Sequence, residues 1–499
     1  MSQTHGQDPA WLWVPPAPGV CDGPGLGEIL RTYRGVHEMT QGELAAFLGC
    51  DQSFVSRLET GQRAIRDVAY LRHIAERLGM PVEELALAAG MLGPADGSSE
   101  VGHVPPDERA AAIGASQWQW RLVRQGLNRH RAELGRVAAP LYPDVDQLGR
   151  ASLLVRPDWV PPTPVELADV ELGWIETHVA STVTGTEPGA WGVLPLSSTG
   201  HRYERYSRAI RDLDRPALFE NRLSYRLLNV MWGPRGGRLT FGYTTYFDTI
   251  DVSEAAAHEL AAVWLRRSPA AAGPVALGWG DLPFRRLIGD PLDLTRWPLL
   301  LSISTLTIRR SATAAAFILH RRDPTRVAVG GGMFHVMPAG AFQPSGVAPV
   351  DHADEFDLWH NIMREFSEEF LGNPEHDGSG SAPIDYERDE PFRALSQARR
   401  EGRLPIWCFG IGLDPLQLTG DILTAAVIDD DVFDSVFAGF VEANSEGVAV
   451  AAGRHARAAE GIPFTEANVR RLVDTGSMSP PGAACLELAW RHRSLLLGA

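Results

Sequence analysis

Apolar positions recur at helical spacing in short bursts near the N-terminus. Leu44, Ala45 and Leu48 give an apolar face to a helix that Thr40 is placed to cap. Gly49 breaks that run, and Asp51 stands where a second helix needs its own cap. The second helix alternates apolar Val55 and Leu58 with polar Gln52, Ser53, Ser56 and Arg57. Three further segments carry the 3.6-residue period: 26–34, 67–79 and 81–90. In 67–79 the stripe is Leu71, Ile74, Ala75 and Leu78, whereas 81–90 opens on Pro81 and ends on Gly90. The pattern predicts a five-helix bundle over 25–92, behind a polar, Pro-rich and disordered tail at 1–24.

The period then disappears. Residues 93–116 open on a Gly-, Ser- and Pro-rich stretch, predicting a linker, and a helical connector is expected over 117–149. The arginines of that connector (Arg121, Arg124, Arg129, Arg131, Arg136) read as a solvated or carboxylate-paired face before they read as added phosphate contacts. Aromatic and β-branched alternation over 219–233 and 237–252 predicts two strands. A helix at 253–267, capped by Ser253, follows them, so 150–295 is expected as an α+β domain without a motif that carries chemistry. Strands are predicted at 299–308, 315–322, 326–332 and 334–342, then a helix at 357–370. Closing strands at 404–413 and 423–430 and helices at 465–476 and 481–496 complete a domain over 296–499.

On the 357–370 helix, Glu365, Glu368 and Glu369 sit at i, i+3 and i+4 and share one stripe, beside the apolar stripe of Leu358, Ile362, Phe366 and Phe370. Clustered carboxylates beside a packed face can hold Mg²⁺ or Mn²⁺ against a diphosphate. Such a trio on its own reads as a solvated helix face.

A chain of 499 residues is expected to fold as two to four domains. Its composition, 44% hydrophobic and 22% charged, is globular. No apolar run approaches the roughly 18 residues of a membrane span, and the N-terminus has no signal-peptide pattern, so a cytoplasmic location is expected. The four cysteines lack metal-ligand spacing and read as buried or incidental thiols. All 46 basic residues are arginine, and the net charge of -16 argues against a nucleic-acid coat protein. A local reading surface remains compatible with that charge. Residues 26–90 hold seven Arg against nine Asp and Glu, but 52–66 hold Arg57, Arg63 and Arg66 against Glu59 alone. A lone copy should therefore grip phosphates weakly, and a homodimer on two half-sites is expected.

The ordered features Thr40-Gln41, Leu44-Ala45, Gly49, the V-S-R-L-E-x-G run at 55–61 and the L-G-x-P-x-E-E-L run at 78–85 carry a resemblance. The segment resembles the lambda-repressor/Cro-like helix-turn-helix family of XRE type. The resemblance implies double-stranded DNA as partner. It places Gln41 on a phosphate, Gln52, Ser53, Ser56 and Arg57 toward base edges, and Gln62 and Arg63 on the backbone.

A second resemblance covers 299–372. Met337-Pro338-Ala339-Gly340 looks like the Pro-Gly-Gly turn, and Arg364, Glu365, Glu368 and Glu369 like the R-E-x-x-E-E box, of the Nudix family. This implies an α/β/α sandwich and a divalent metal on Glu365 and Glu369, with Glu368 as the catalytic assistant. Gly340 and Arg364 would stand at the ligand site, with substrates that are nucleoside diphosphates linked to another group. Two departures are plain: Gly346 stands where the family's first box glutamate belongs, and the run VAPVDHADEF is inserted before Arg364.

Together these readings predict a multidomain protein: an all-α helix-turn-helix bundle, an α+β region and an α/β/α Nudix-like sandwich. The function expected is a DNA-binding transcription regulator controlled by a nucleotide-type ligand. The alternatives are a metal-dependent hydrolase tethered to DNA, or an antitoxin-like or scaffold interaction protein.

Overall fold

A computed structural model describes residues 25–65, 67–89, 106–150, 152–216, 219–233, 236–267, 275–322, 333–345, 355–374, 384–443, 447–449 and 458–498. The expected tail at 1–24, residues 93–105 of the expected linker, Arg66, the strand at 326–332 and residues 347–354 of the insertion lie outside the described residues, as does Gly346. Contacts divide the chain into two compact units. One comprises residues up to Leu30, Thr40–Gln119 and Leu196–His201; the other comprises Arg31–Met39, Trp120–Pro195 and Arg202–Ala499.

Local capping explains the three middle helices of the N-terminal region. α1 (Leu26–His37) precedes α2 (Gln41–Leu48), where Thr40 and Glu43 close a reciprocal capping box. Gly49 takes the left-handed conformation at φ 69°, and the amides of Gly49 and Cys50 return to the Ala46 and Ala45 carbonyls. Asp51 caps α3 (Gln52–Glu59), and Asp67 caps α4 (Val68–Leu78), which ends on left-handed Gly79; α5 is Val82–Ala88. Leu30, Leu44, Leu48, Val55, Ile74 and Leu85 are fully buried between these helices. The apolar positions predicted from spacing are thus the core.

α6 (Pro106–Arg129) begins inside the segment expected as linker. Pro106 at the first helical position and the acids that follow it, Asp107 and Glu108, are a helix-start signature within a stretch that looked structureless. α7 (Arg131–Ala138) follows after a break at His130.

The second unit is built on a mixed sheet. Its strands are β1 (Asp146–Leu148), β2 (Leu153–Val155), β3 (Val165–Glu166), β7 (Leu301–Arg310), β8 (Ala315–Phe317), β11 (Ala339–Ala341), β12 (Ile406–Leu413), β13 (Gly420–Asp429) and β15 (Ile462–Pro463). The order is β1-β2-β12-β13-β7-β8-β15, with β11 paired to the start of β7, β8 to its end, and β3 on β12. β13 and β7 run parallel over their full length, and the other pairs are antiparallel. A second sheet holds β4 (Val170–Trp174), β5 (Leu223–Gly233) and β6 (Gly236–Thr245), and a third holds β9 (Leu319–Arg322), β10 (Phe334–Val336) and β14 (Gly447–Ala449). β1 comes from the segment expected as a helical connector, and β2 and β3 from the one expected as a separate α+β domain, yet all three extend the sheet of the C-terminal segment.

α8 is Tyr206–Leu213, and α9, Tyr246–Arg267, starts before the predicted position. The strand reading of 246–252 and the capping role of Ser253 are corrected here: Ser253 is a fully buried residue of the helix interior. The cap signal lies at Thr245 and Asp248, whose side chains bond each other and each other's backbone amides. α10 (Leu358–Leu371) is capped by Asp357 and ended by left-handed Gly372. α11 is Pro480–Arg491.

The two faces of the main sheet have different coverings. Leu306, Ile308, Leu423, Ala425 and Val427 point toward α11 and pack with Ala484, Cys485 and Leu488. Gly340 lies opposite Ile303 in the β11–β7 register, and a Cβ placed on it would meet the Glu365 carboxylate of α10. Side chains alternate along a strand. Glu365 therefore covers the odd-numbered face of β7, and α11 the even-numbered one.

Candidate functional site

The first site is the exposed rim of α3. Asp51 accepts the Phe54 amide at 2.9 Å and the Ser53 hydroxyl, which holds its carboxyl below the usual carboxylate range. That cap fixes the direction in which the first turn of α3 projects. Gln52, Ser53, Arg57, Gln62 and Arg63 are exposed, and Ser56 is half-buried. Val55 and Leu58 on the opposite face are buried, so the polar stripe cannot turn inward.

The arginines of this rim are oriented by neighbours. Arg57 donates from Nε to the Ser53 carbonyl at 3.0 Å and from Nη2 to the Ser53 hydroxyl at 3.2 Å. Arg63 lies over the Phe54 ring, 4.6 Å from its centre, and Phe54 in turn meets Tyr70 edge-on. Burial raises the Tyr70 pKa. The side chains expected to reach bases therefore share one exposed stripe, with a loop arginine pinned beside them.

Gln41 departs from this group. It is half-buried, and its Nε2 donates to Glu59 Oε2 at 2.8 Å. Its side chain thus ties the start of α2 to the end of α3. Gly27 of α1 lies close to the same end of α3: a Cβ there would sit 2.7 Å from the Glu59 carbonyl oxygen. These two contacts set the seat of α3, and neither is visible from spacing along the chain.

Residues 26–88 match the family model of a helix-turn-helix domain. The N-terminal bundle is a helix-turn-helix region. The chain is also similar to the HTH-type transcriptional repressor RghR of Bacillus subtilis (strain 168), with 35% identity over 67 residues. The matched part is 13% of this chain and 50% of that protein, so the chain spans about half the length of this curated relative.

The second expected site lies on α10. Arg364 is 5% exposed and donates to Glu355 Oε2 (2.9 Å), Tyr386 Oη (2.7 Å), the Gln343 carbonyl (3.0 Å) and Asn361 Oδ1 (3.1 Å). Glu369 is 3% exposed and accepts the Ala339 amide at 3.1 Å. Glu365 and Glu368 are half-buried. Arg364 and Glu369 thereby clamp β11 and its flanks to the helix. Among the described residues no group of three or more His, Cys, Asp or Glu side chains is arranged to hold a metal ion.

Cys408 and Cys485 are buried thiols, that of Cys408 pushed up to about 12 by burial and that of Cys485 pushed up well above its usual value for the same reason. This suits structural residues. No helix of the described residues is long and apolar enough to cross a membrane.

Proposed function

We propose that this protein is a DNA-binding transcription regulator that reads an operator in double-stranded DNA with α3, as an XRE-type module. The observation that carries this reading is the exposed stripe of Gln52, Ser53 and Arg57 on the capped first turns of α3, opposite a buried apolar face. Side chains of this kind reach hydrogen-bonding groups of base edges in the major groove. The helix-turn-helix match and the similarity to a repressor support it. Gln62 and Arg63 follow α3 and contact the backbone; Gln41 contributes through Glu59 or exchanges that bond for a phosphate.

The protein acts as a homodimer in this reading, because few phosphate contacts are available to one copy. The C-terminal segment is read as Nudix-like in fold. Its support is a mixed sheet with a parallel central pair and a capped helix that carries Arg364, Glu365, Glu368 and Glu369. A nucleotide-type ligand in this unit biases the dimer toward or away from its DNA-competent geometry, which requires that it bind one geometry better. Hydrolysis is the weaker reading, since Arg364 and Glu369 are engaged in holding β11 and its flanks.

Replacing Gln52 and Arg57 together by Ala tests the DNA reading. Both are exposed, so the fold should survive while specific operator binding is lost. Unchanged binding by the folded variant contradicts it.

A further inference from the structure

Arg57 is the sixth residue of α3, well past the end that Asp51 caps. Its side chain nonetheless returns to that end. Long side chains on a helix lean toward its N-terminus. Here the lean is locked, because Nε donates to the Ser53 carbonyl and Nη2 to the Ser53 hydroxyl. Both bonds go to one residue a turn earlier, so the guanidinium is held over the first turn of α3.

The distribution of those bonds leaves a specific set of donors. A guanidinium carries five N–H groups in one plane. The edge formed by Nε and Nη2 is spent on Ser53. The end formed by Nη1 and Nη2 keeps a parallel pair of N–H groups, and no other hydrogen bond or ion pair among the described residues takes them. Asp51 feels the charge of Arg57 without forming an ion pair with it. Arg57 is exposed, so the pair is open to a partner.

Ser53 is occupied in turn. Its hydroxyl donates its one proton to Asp51 Oδ1 and accepts Arg57 on a lone pair. Asp51 also accepts the Phe54 amide, so the chain Asp51–Ser53–Arg57 is anchored on the helix cap. Ser53 has no proton left to offer a base. Its part in reading is to hold the arginine.

Two parallel donors on an exposed end match one base. In the major groove guanine presents two acceptors, N7 and O6, whereas adenine presents an acceptor beside a donor. A phosphate also accepts such a pair. The first residues of a recognition helix, however, are those that meet base edges. An arginine held before binding also loses less side-chain freedom when it binds.

We propose that Arg57 reads a guanine in each operator half-site, through Nη1 and Nη2 on O6 and N7, and that Ser53 and Asp51 are positioning residues for it. The inference rests on the reading of α3 as the DNA-contacting helix, and it adds which base that helix selects and by which atoms.

The test is selection of bound duplexes from a randomised double-stranded DNA library by the full-length protein, with Arg57→Ala, Ser53→Ala and Ser53→Thr in parallel. The unsubstituted protein should enrich a motif with a guanine in each half-site. Arg57→Ala should lower the preference for that guanine by about 5- to 150-fold and keep the preferences at other positions. Ser53→Ala should relax the same position by about two- to tenfold, since the carbonyl contact remains, and Ser53→Thr should restore it. A merely structural role would weaken all sequences alike and single out no position. The proposal fails if Arg57→Ala weakens binding equally across sequences and lowers the salt dependence by about one phosphate contact. It fails equally if the position relaxed by Arg57→Ala is not a guanine, or if Ser53→Ala relaxes a different one. Those results leave α3 as the DNA reader. An unsubstituted protein that enriches no motif contradicts that reading, and this inference with it.

Discussion

Gly27 and Gly42 are the second residues of α1 and α2, so an alanine at either gains a similar helix-propensity term, up to about 1 kcal/mol. Their surroundings differ. At Gly42 the nearest atom to an added Cβ is Thr40 Oγ1 at 3.8 Å, an ordinary contact. At Gly27 the Cβ would lie 2.7 Å from the Glu59 carbonyl oxygen and 2.9 Å from that of Leu58. Both are backbone atoms of α3 and cannot rotate away, so α1 and α3 must separate. Overpacking of this kind costs about 1–3 kcal/mol. Gly42→Ala should therefore be neutral or stabilising, whereas Gly27→Ala should stand about 1–3 kcal/mol below it. Hydrogen exchange of the α1 and α3 amides in the full-length chain reads this difference directly, as roughly 5- to 150-fold faster exchange in Gly27→Ala. Because Glu59 and Leu58 end the helix proposed to enter DNA, the same variant should also weaken operator binding. Equal exchange in the two variants would refute the view that close approach at Gly27 seats α3.

Other consequences follow from the same contacts. Arg364→Ala strands the Glu355 carboxylate, 5% exposed, without its ion-pair partner. It should cost the second unit about 3–5 kcal/mol, and an unchanged melting transition would contradict the clamp role. Acidification should act oppositely on the two units. Asp51 is held below the usual range by Ser53 and then Phe54, and Glu43 by the Thr40 amide and hydroxyl, so their stabilisation is lost as pH falls through their folded values. Burial raises Asp414 and Glu259, whose contribution is fully present below the unfolded value and is lost as pH rises through the folded one. Exchange protection between about pH 5 and about pH 2 should therefore fall in α2 and α3 before it falls around Asp414. Operator affinity should fall as salt rises, and sedimentation should show a dimer at micromolar concentration; a monomer that binds its operator normally contradicts the dimer.

What could be read along the chain was what local chemistry decides. Thr40, Gly49 and Asp51 mark helix ends because a cap acts within three or four residues, and all three stand where spacing put them. The rest is masked by a biased run or decided by a distant partner. The Thr245–Asp248 box lies inside an aromatic run, and Pro106 with its acids inside a Pro-rich one. β2 joins β12 across some 250 positions, a pairing no periodicity reports. The Gln41–Glu59 bond is equally hidden, because it is set by how α2 and α3 pack.

The central claim is that α3 reads DNA. Genome-wide occupancy of the tagged protein, compared with the Gln52→Ala, Arg57→Ala double variant at equal abundance, tests it most directly. Sharp sites sharing a sequence of two half-sites, spaced by whole helical turns of about 10 base pairs and lost in the variant, are the predicted result. Diffuse signal, or the same sites retained by the variant, would contradict it.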